Sequence, residues 1–86
     1  MLWIECENGK IVNMNNVIYI DIVHVDDKSY ALLLKATNTI SQIPIAHGSK
    51  EQCKIMKYRI YTYFTNHNYN DRKIIRHDWL THKLPE

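Results

Sequence analysis

Apolar and polar residues alternate with a period of two through the first half of this chain and recur at helical intervals through the second. Leu2, Ile4 and Cys6 fall on one side of the opening run, with Trp3, Glu5 and Glu7 on the other. That pattern is the signature of a half-buried strand. Asn8-Gly9 follows, and Lys10 to Met14 leads away from it. The pair predicts a β-hairpin closed by a type I′ turn with Asn8 and Gly9 at its centre, because such a turn needs positive φ at both positions. Glu7 and Lys10 would flank it as an opposite-charge pair. Asn15-Asn16 interrupts the chain, and Val17 to Val25 then reads as a long β-branched strand. Asp26 to Ser29 is a polar turn, Tyr30 to Ala36 a returning strand, Thr37 to Thr39 a second turn, and Ile40 to Ala46 a fifth strand. Pro44 has no N–H to donate, which assigns that last strand to a sheet edge.

The period then changes. Ser49-Lys50-Glu51-Gln52 has the spacing of a capping box, with Ser49 accepting from the helix backbone and Gln52 reaching back. Cys53, Met56, Ile60, Tyr63 and Phe64 form one helical stripe, so a helix is predicted over 49–66. His67 to Asn70 reads as a loop, and Asp71 as the cap of a shorter helix over 71–82, with Ile75 and Trp79 one turn apart. No repeat, low-complexity tract or linker divides the chain. The expectation is a single α+β domain over 1–86: a five-stranded antiparallel meander (1–46), one long helix on one face, and a short C-terminal helical segment.

The central strands carry more apolar surface than one helix covers. Ile18, Ile20 and Ile22 fall on one face, and Val17, Tyr19, Val23 and Val25 on the other, interrupted by Asp21. Tyr30, Leu32 and Leu34 similarly oppose Ala31 and Leu33. A sheet with one wet face alternates more cleanly. The second face therefore needs a cover, either the C-terminal segment with Ile74, Ile75, Trp79 and Leu80 or another protein molecule, a second copy included. Trp3, Tyr19, Val23, Leu33 and Trp79 are the candidate interface residues.

Composition narrows the chemistry. At 86 residues, 45 % of them hydrophobic and 23 % charged, the chain has the makeup of a small globular domain with a thin core. No apolar run approaches the ~18 residues of a membrane span, and the basic start of a signal peptide is missing. Together with only two cysteines, this predicts a cytoplasmic protein that makes no use of a membrane. Cys6 and Cys53 are expected as reduced core residues rather than a disulfide or a catalytic thiol. The five histidines lack ligand spacing: His77 and His82 point apart, and neither Cys-x-x-Cys nor His-x-x-x-His occurs. Asp26-Asp27 is a solvated turn, and Gly9 and Gly48 build no phosphate loop. Neither an enzyme nor a cofactor or metal site is expected.

Charge is uneven. Residues 1–49 hold three basic and five acidic side chains, a net −2, and residues 50–86 hold eight and four, a net +4. Lys50, Lys54, Lys57, Tyr58 and Tyr61 follow the helix face opposite the stripe. Arg72, Lys73 and Arg76 form a second cluster. Interleaved cations and tyrosines suit phosphate neutralisation and base stacking, although helices routinely expose lysines to solvent. Lys54, Lys57, Tyr61, Arg72, Lys73 and Arg76 are thus the candidate residues of an alternative, nucleic-acid-binding reading.

Asn, Ile, Lys and Tyr supply 34 of the 86 residues, and their codons are AT-rich. Trp3-Ile4, Asn8-Gly9, Val12-Asn13-Met14 and Val17, followed by two further strands and the Gly48-Ser49 helix start, resemble short uncharacterised strand-rich proteins of Firmicutes and their phages over residues 1–66. The resemblance implies a strand-rich fold with one closing helix and carries no functional residues; His67 to Glu86 departs from it as an extension. The expected function is a non-enzymatic protein–protein interaction module, in its specific form a phage- or mobile-element-encoded inhibitor of a host defence protein.

Overall fold

The computed structural model describes residues 2–66 and 73–86. The order of elements is β1 (Leu2–Glu5), β2 (Ile11–Asn13), a 3-10 turn (Met14–Asn16), β3 (Val17–His24), β4 (Tyr30–Ala36), β5 (Ile43–Gly48), α1 (Lys50–Thr65), β6 (Lys73–Ile75) and α2 (His77–Leu80). The class is α+β, but the single meander is replaced by two three-stranded sheets, ordered β2-β1-β6 and β3-β4-β5.

The division happens at the 3-10 turn. The Asn13 side chain accepts from the Asn15 N–H, and the Val17 N–H bonds the Met14 carbonyl. This tight turn, pinned by the buried Met14, sends β3 away from β2 into a separate sheet. The N-terminal hairpin forms, with Trp3 opposite Asn13 and Glu5 opposite Ile11. Its turn differs from type I′. The Gly9 N–H bonds the Cys6 carbonyl at 2.9 Å, and the Cys6 N–H bonds the Lys10 carbonyl at 2.8 Å. Glu7 and Asn8 are therefore the central residues, and only Gly9 takes positive φ, at 86°. Asn8 uses its side chain rather than a left-handed backbone, accepting from the Lys10 N–H at 2.9 Å.

The tail differs most from expectation. Loop and cap assignments over 67–72 lie outside the described residues, and the helix of 71–82 shrinks to His77–Leu80. Lys73–Ile75 instead forms β6, parallel to β1, with Leu2 opposite Lys73 and Ile4 opposite Ile75. Ile74-Ile75 is a β-branched pair, and branching at Cβ favours the pleated conformation. Lys73–Ile75 is thus a strand of the first sheet. Side chains from α1 hold the tail as well: Arg59 Nη1 donates to the Leu80 and His82 carbonyls at 2.9 and 2.7 Å, and Gln52 Nε2 to the Pro85 carbonyl at 2.7 Å.

The second sheet contains two register breaks. Val17 faces Ala36 and Tyr19 faces Lys35, so Ile18 has no partner; Leu32 faces Ala46 and Leu33 faces Pro44, so Ile45 has none. Each is a bulge. The first exchanges the expected faces of Val17 and Ile18 and leaves the rest of β3 in phase: Val17, Ile20 and Ile22 pack on the core, and Ile18 is 59 % exposed. The second lets both Ile45 and Ala46 be buried, and the Ile45 carbonyl accepts the Glu7 N–H of the other sheet at 2.9 Å. The fifth strand runs Ile43–Gly48 rather than 40–46, and β5 is an edge strand, as Pro44 requires.

α1 begins with the full capping box, in which the Gln52 N–H bonds Ser49 Oγ and the Ser49 N–H bonds Gln52 Oε1. A Cβ on Gly48 would lie 2.5 Å from that Gln52 oxygen, so glycine leaves room for the cap. Cys53, Met56 and Ile60 bury the helix stripe, while Phe64 stays 48 % exposed. One continuous core results, joining Ile4, Leu34, Ile45, Met56, Ile75 and Leu80 from both sheets and both helices.

Candidate protein-contact surface

Alternation and register divide the second sheet into two faces. The rows Ile20–Leu34–Ile43 and Ile22–Leu32–Ala46 point to α1 and the core. On the other face, Tyr19 lies opposite Lys35, Asp21 opposite Leu33 and Pro44, and Val23 opposite Ala31 and His47. Tyr19 is 44 % exposed, and Val23 and Leu33 are half-buried. Ala31 is buried but lies outside the core cluster, consistent with shielding by its larger neighbours on this face. Among the described elements α1 packs on this sheet from the opposite side, and the C-terminal segment is bonded to β1 and to α1, so no described element packs closely over Tyr19, Val23 and Leu33.

The face is not uniformly greasy. Asp21 sits between Tyr19 and Val23, and its Oδ1 accepts the Ile22 N–H at 2.9 Å. On an edge strand this carboxylate occupies a backbone donor that another strand would otherwise bond. The Tyr19 hydroxyl accepts from Gln42 Nε2 at 3.0 Å, and Lys35 Nζ donates to the Thr39 carbonyl.

The two tryptophans lie elsewhere, contrary to the expectation of one combined patch. Trp3 belongs to the first sheet and alternates with the buried Leu2 and Ile4. Trp79 lies on α2, where it meets Tyr63 edge-on at 5.4 Å. The reason is the split into two sheets: residues that would share a face in one meander are parted when β1 and β3 belong to different sheets.

The basic candidates are also distributed. Lys54, Lys57 and Tyr61 are exposed on α1. Lys54 pairs with Glu51 at 3.5 Å, and Arg76, just after β6, lies 3.8 Å from Glu5. Lys73 is on β6, and Arg72 lies outside the described residues. Lys57 and Tyr61 do not lie opposite the core stripe. They flank it on the side facing β3, where an open groove of about 250 Å³ runs between the two elements. Met14, Val17 and Ile20 line one side and Ile60, Tyr61 and Phe64 the other, with Tyr19 and Lys57 completing it. Sequence reasoning missed this groove. The usable signal was helical spacing, since Lys57 and Phe64 are seven residues apart and share a face.

Chemical groups elsewhere are sparse. Among the described residues no three His, Cys, Asp or Glu side chains gather as a metal site. Cys6 and Cys53 are both buried and unpaired, and Cys53 Sγ lies 3.6 Å from the Tyr30 carbonyl. Burial pushes the Cys6 thiol up to about 11, outweighing the downward pull of the Lys10 ammonium, and burial raises Cys53 as well. Neither is poised as a thiolate nucleophile. Glu7, expected beside Lys10, contacts His47 Nδ1 at 2.6 Å instead. His77 Nδ1 is buried without a hydrogen-bond partner among the described residues. No described helix is long and apolar enough to cross a membrane.

No protein family, no curated protein and no solved structure matches the chain.

Proposed function

We propose that the chain is a small non-catalytic module that binds another protein through the outer face of β3, β4 and β5. The observation that carries this reading is the meeting of Tyr19, Val23 and Leu33 on a face that no described element covers. Contiguous apolar surface is uncommon on chains that act alone. A partly exposed tyrosine beside aliphatic neighbours is the usual composition of an energetic centre in an interface. In its more specific form the module occludes a host enzyme on behalf of a phage or mobile element, a form drawn from small size, AT-rich usage and the resemblance over residues 1–66. Nucleic acid draws less support, because Lys54 and Arg76 already face carboxylates.

The test compares the full chain with Y19S/L33S. Neither side chain belongs to the core cluster, so the variant is expected to melt within a few degrees of the parent. The parent is expected to hold a specific protein from a host extract, or a second copy of itself by light scattering, and the variant to lose it. A complex that survives the double substitution overturns the assignment.

A further inference from the structure

We propose that the groove between β3 and α1 is a binding site for a medium-chain aliphatic carboxylate, with the chain lying along the groove and the carboxylate on Lys57. This surface is separate from the sheet face, sharing only Tyr19 with it. Three observations lead there.

The groove is apolar on both sides. Val17 and Ile20 on β3 face Ile60 and Phe64 on α1, and the bulge at Ile18 turns Val17 into that space. Phe64 keeps 48 % of its surface exposed although it lies on the shoulder of the buried stripe. It is an apolar residue with a groove beside it and nothing described packed across it. The volume, about 250 Å³, lies just below the ~300–1,000 Å³ of sites for drug-sized ligands. It suits a single flexible chain better than a fused-ring body.

Among the described residues, the one charged group in the lining is a cation. Lys54 and Arg76 have carboxylate neighbours, whereas among the described residues Lys57 has no carboxylate within ion-pair distance and no Asp or Glu lines the groove. An ammonium beside a low-dielectric wall attracts an anion more strongly than one in open water. Tyr61, four residues on and one turn away, lines the same groove and carries a hydroxyl that can donate. An apolar trough with one cation and two tyrosines, of which Tyr19 already accepts from Gln42, matches a ligand with an apolar tail and one anionic head.

Polar satisfaction selects against the alternatives. An added β-strand would have to displace the Asp21 carboxylate from the Ile22 N–H and accommodate the unmatched Ile18. A purely apolar ligand would leave the Lys57 charge partly desolvated and unpaired, which is unfavourable. A carboxylate at the head of an aliphatic chain relieves that cost.

The experiment titrates decanoate, below its micelle concentration, into the full ¹⁵N-labelled chain and follows backbone amide shifts, with decanol as the uncharged probe. The expected result is saturable one-to-one binding with shifts confined to residues 14–20 and 57–64, and weaker binding of decanol. K57Q should weaken decanoate roughly tenfold, the loss of one charge-assisted contact, and leave decanol unchanged. F64S, at an already exposed position, should weaken both while the spectrum remains that of the folded chain. Non-saturable shifts, equal affinity for the two probes, or decanoate binding untouched by K57Q would each overturn the proposal.

Discussion

Cys6 and Cys53 show how position decides what a thiol does. Cys6 closes the inward side of β1, and Cys53 occupies the first turn of α1. A helix start normally favours a thiolate, yet burial dominates and both thiols hold their protons above the ordinary range. Two outcomes follow. At pH 8 a thiol reagent should modify neither cysteine in the folded chain and both after denaturation. The second concerns stability. The folded state keeps the Cys6 proton up to about pH 11, while the unfolded chain releases it near pH ~8.5. This contribution is therefore complete below about pH 8.5 and is lost as the pH rises towards 11. Melting curves of the parent and of Cys6→Ala across that interval test the sign: the advantage of the parent should shrink with rising pH. A constant gap would show that the thiol is not desolvated.

At the level of elements, β6 is the segment on which the first sheet depends. It gives β1 its second neighbour and places Ile75, 1 % exposed, in the core beside Leu80. Ile75→Ala should cost about 3 kcal/mol in urea denaturation, the transfer loss plus the cavity. Truncation after Asn66 should abolish the cooperative melt, and a truncated chain that stays folded and monomeric would refute this role. The capping box, the hairpin and the edge position of Pro44 were legible in the sequence because each rests on residues a few positions apart. The pairing of β1 with β6 was not, since parallel partners some 70 residues apart leave no local trace and Ile75 and Trp79 also fit a helical spacing. The bulges at Ile18 and Ile45 were equally invisible, because one unmatched residue reverses a period-two pattern without changing composition. Tyr19, Val23 and Leu33 were nevertheless found as one face because they lie beyond the first bulge in continuous register. Trp3 was misplaced because its sheet was misjudged.

Over the whole molecule, one core joins the two sheets and two helices, and the sheets are also tied directly by the Glu7 N–H to Ile45 carbonyl bond. Such an arrangement should unfold as a unit. Tryptophan fluorescence reports β1 through Trp3 and α2 through Trp79, and far-ultraviolet dichroism is dominated by α1. Their denaturation midpoints should coincide. An earlier fluorescence transition would mean that the first sheet and tail detach before α1 melts. The central place of β1 also bears on biosynthesis. Emerging from the ribosome, β1 soon acquires β2, but its other border stays unsatisfied until residues 73–75 have been translated. Throughout that interval the nascent chain presents a raw strand to its surroundings. A stalled or prematurely terminated product would keep that border permanently, making it a ready substrate for aggregation or quality-control proteolysis.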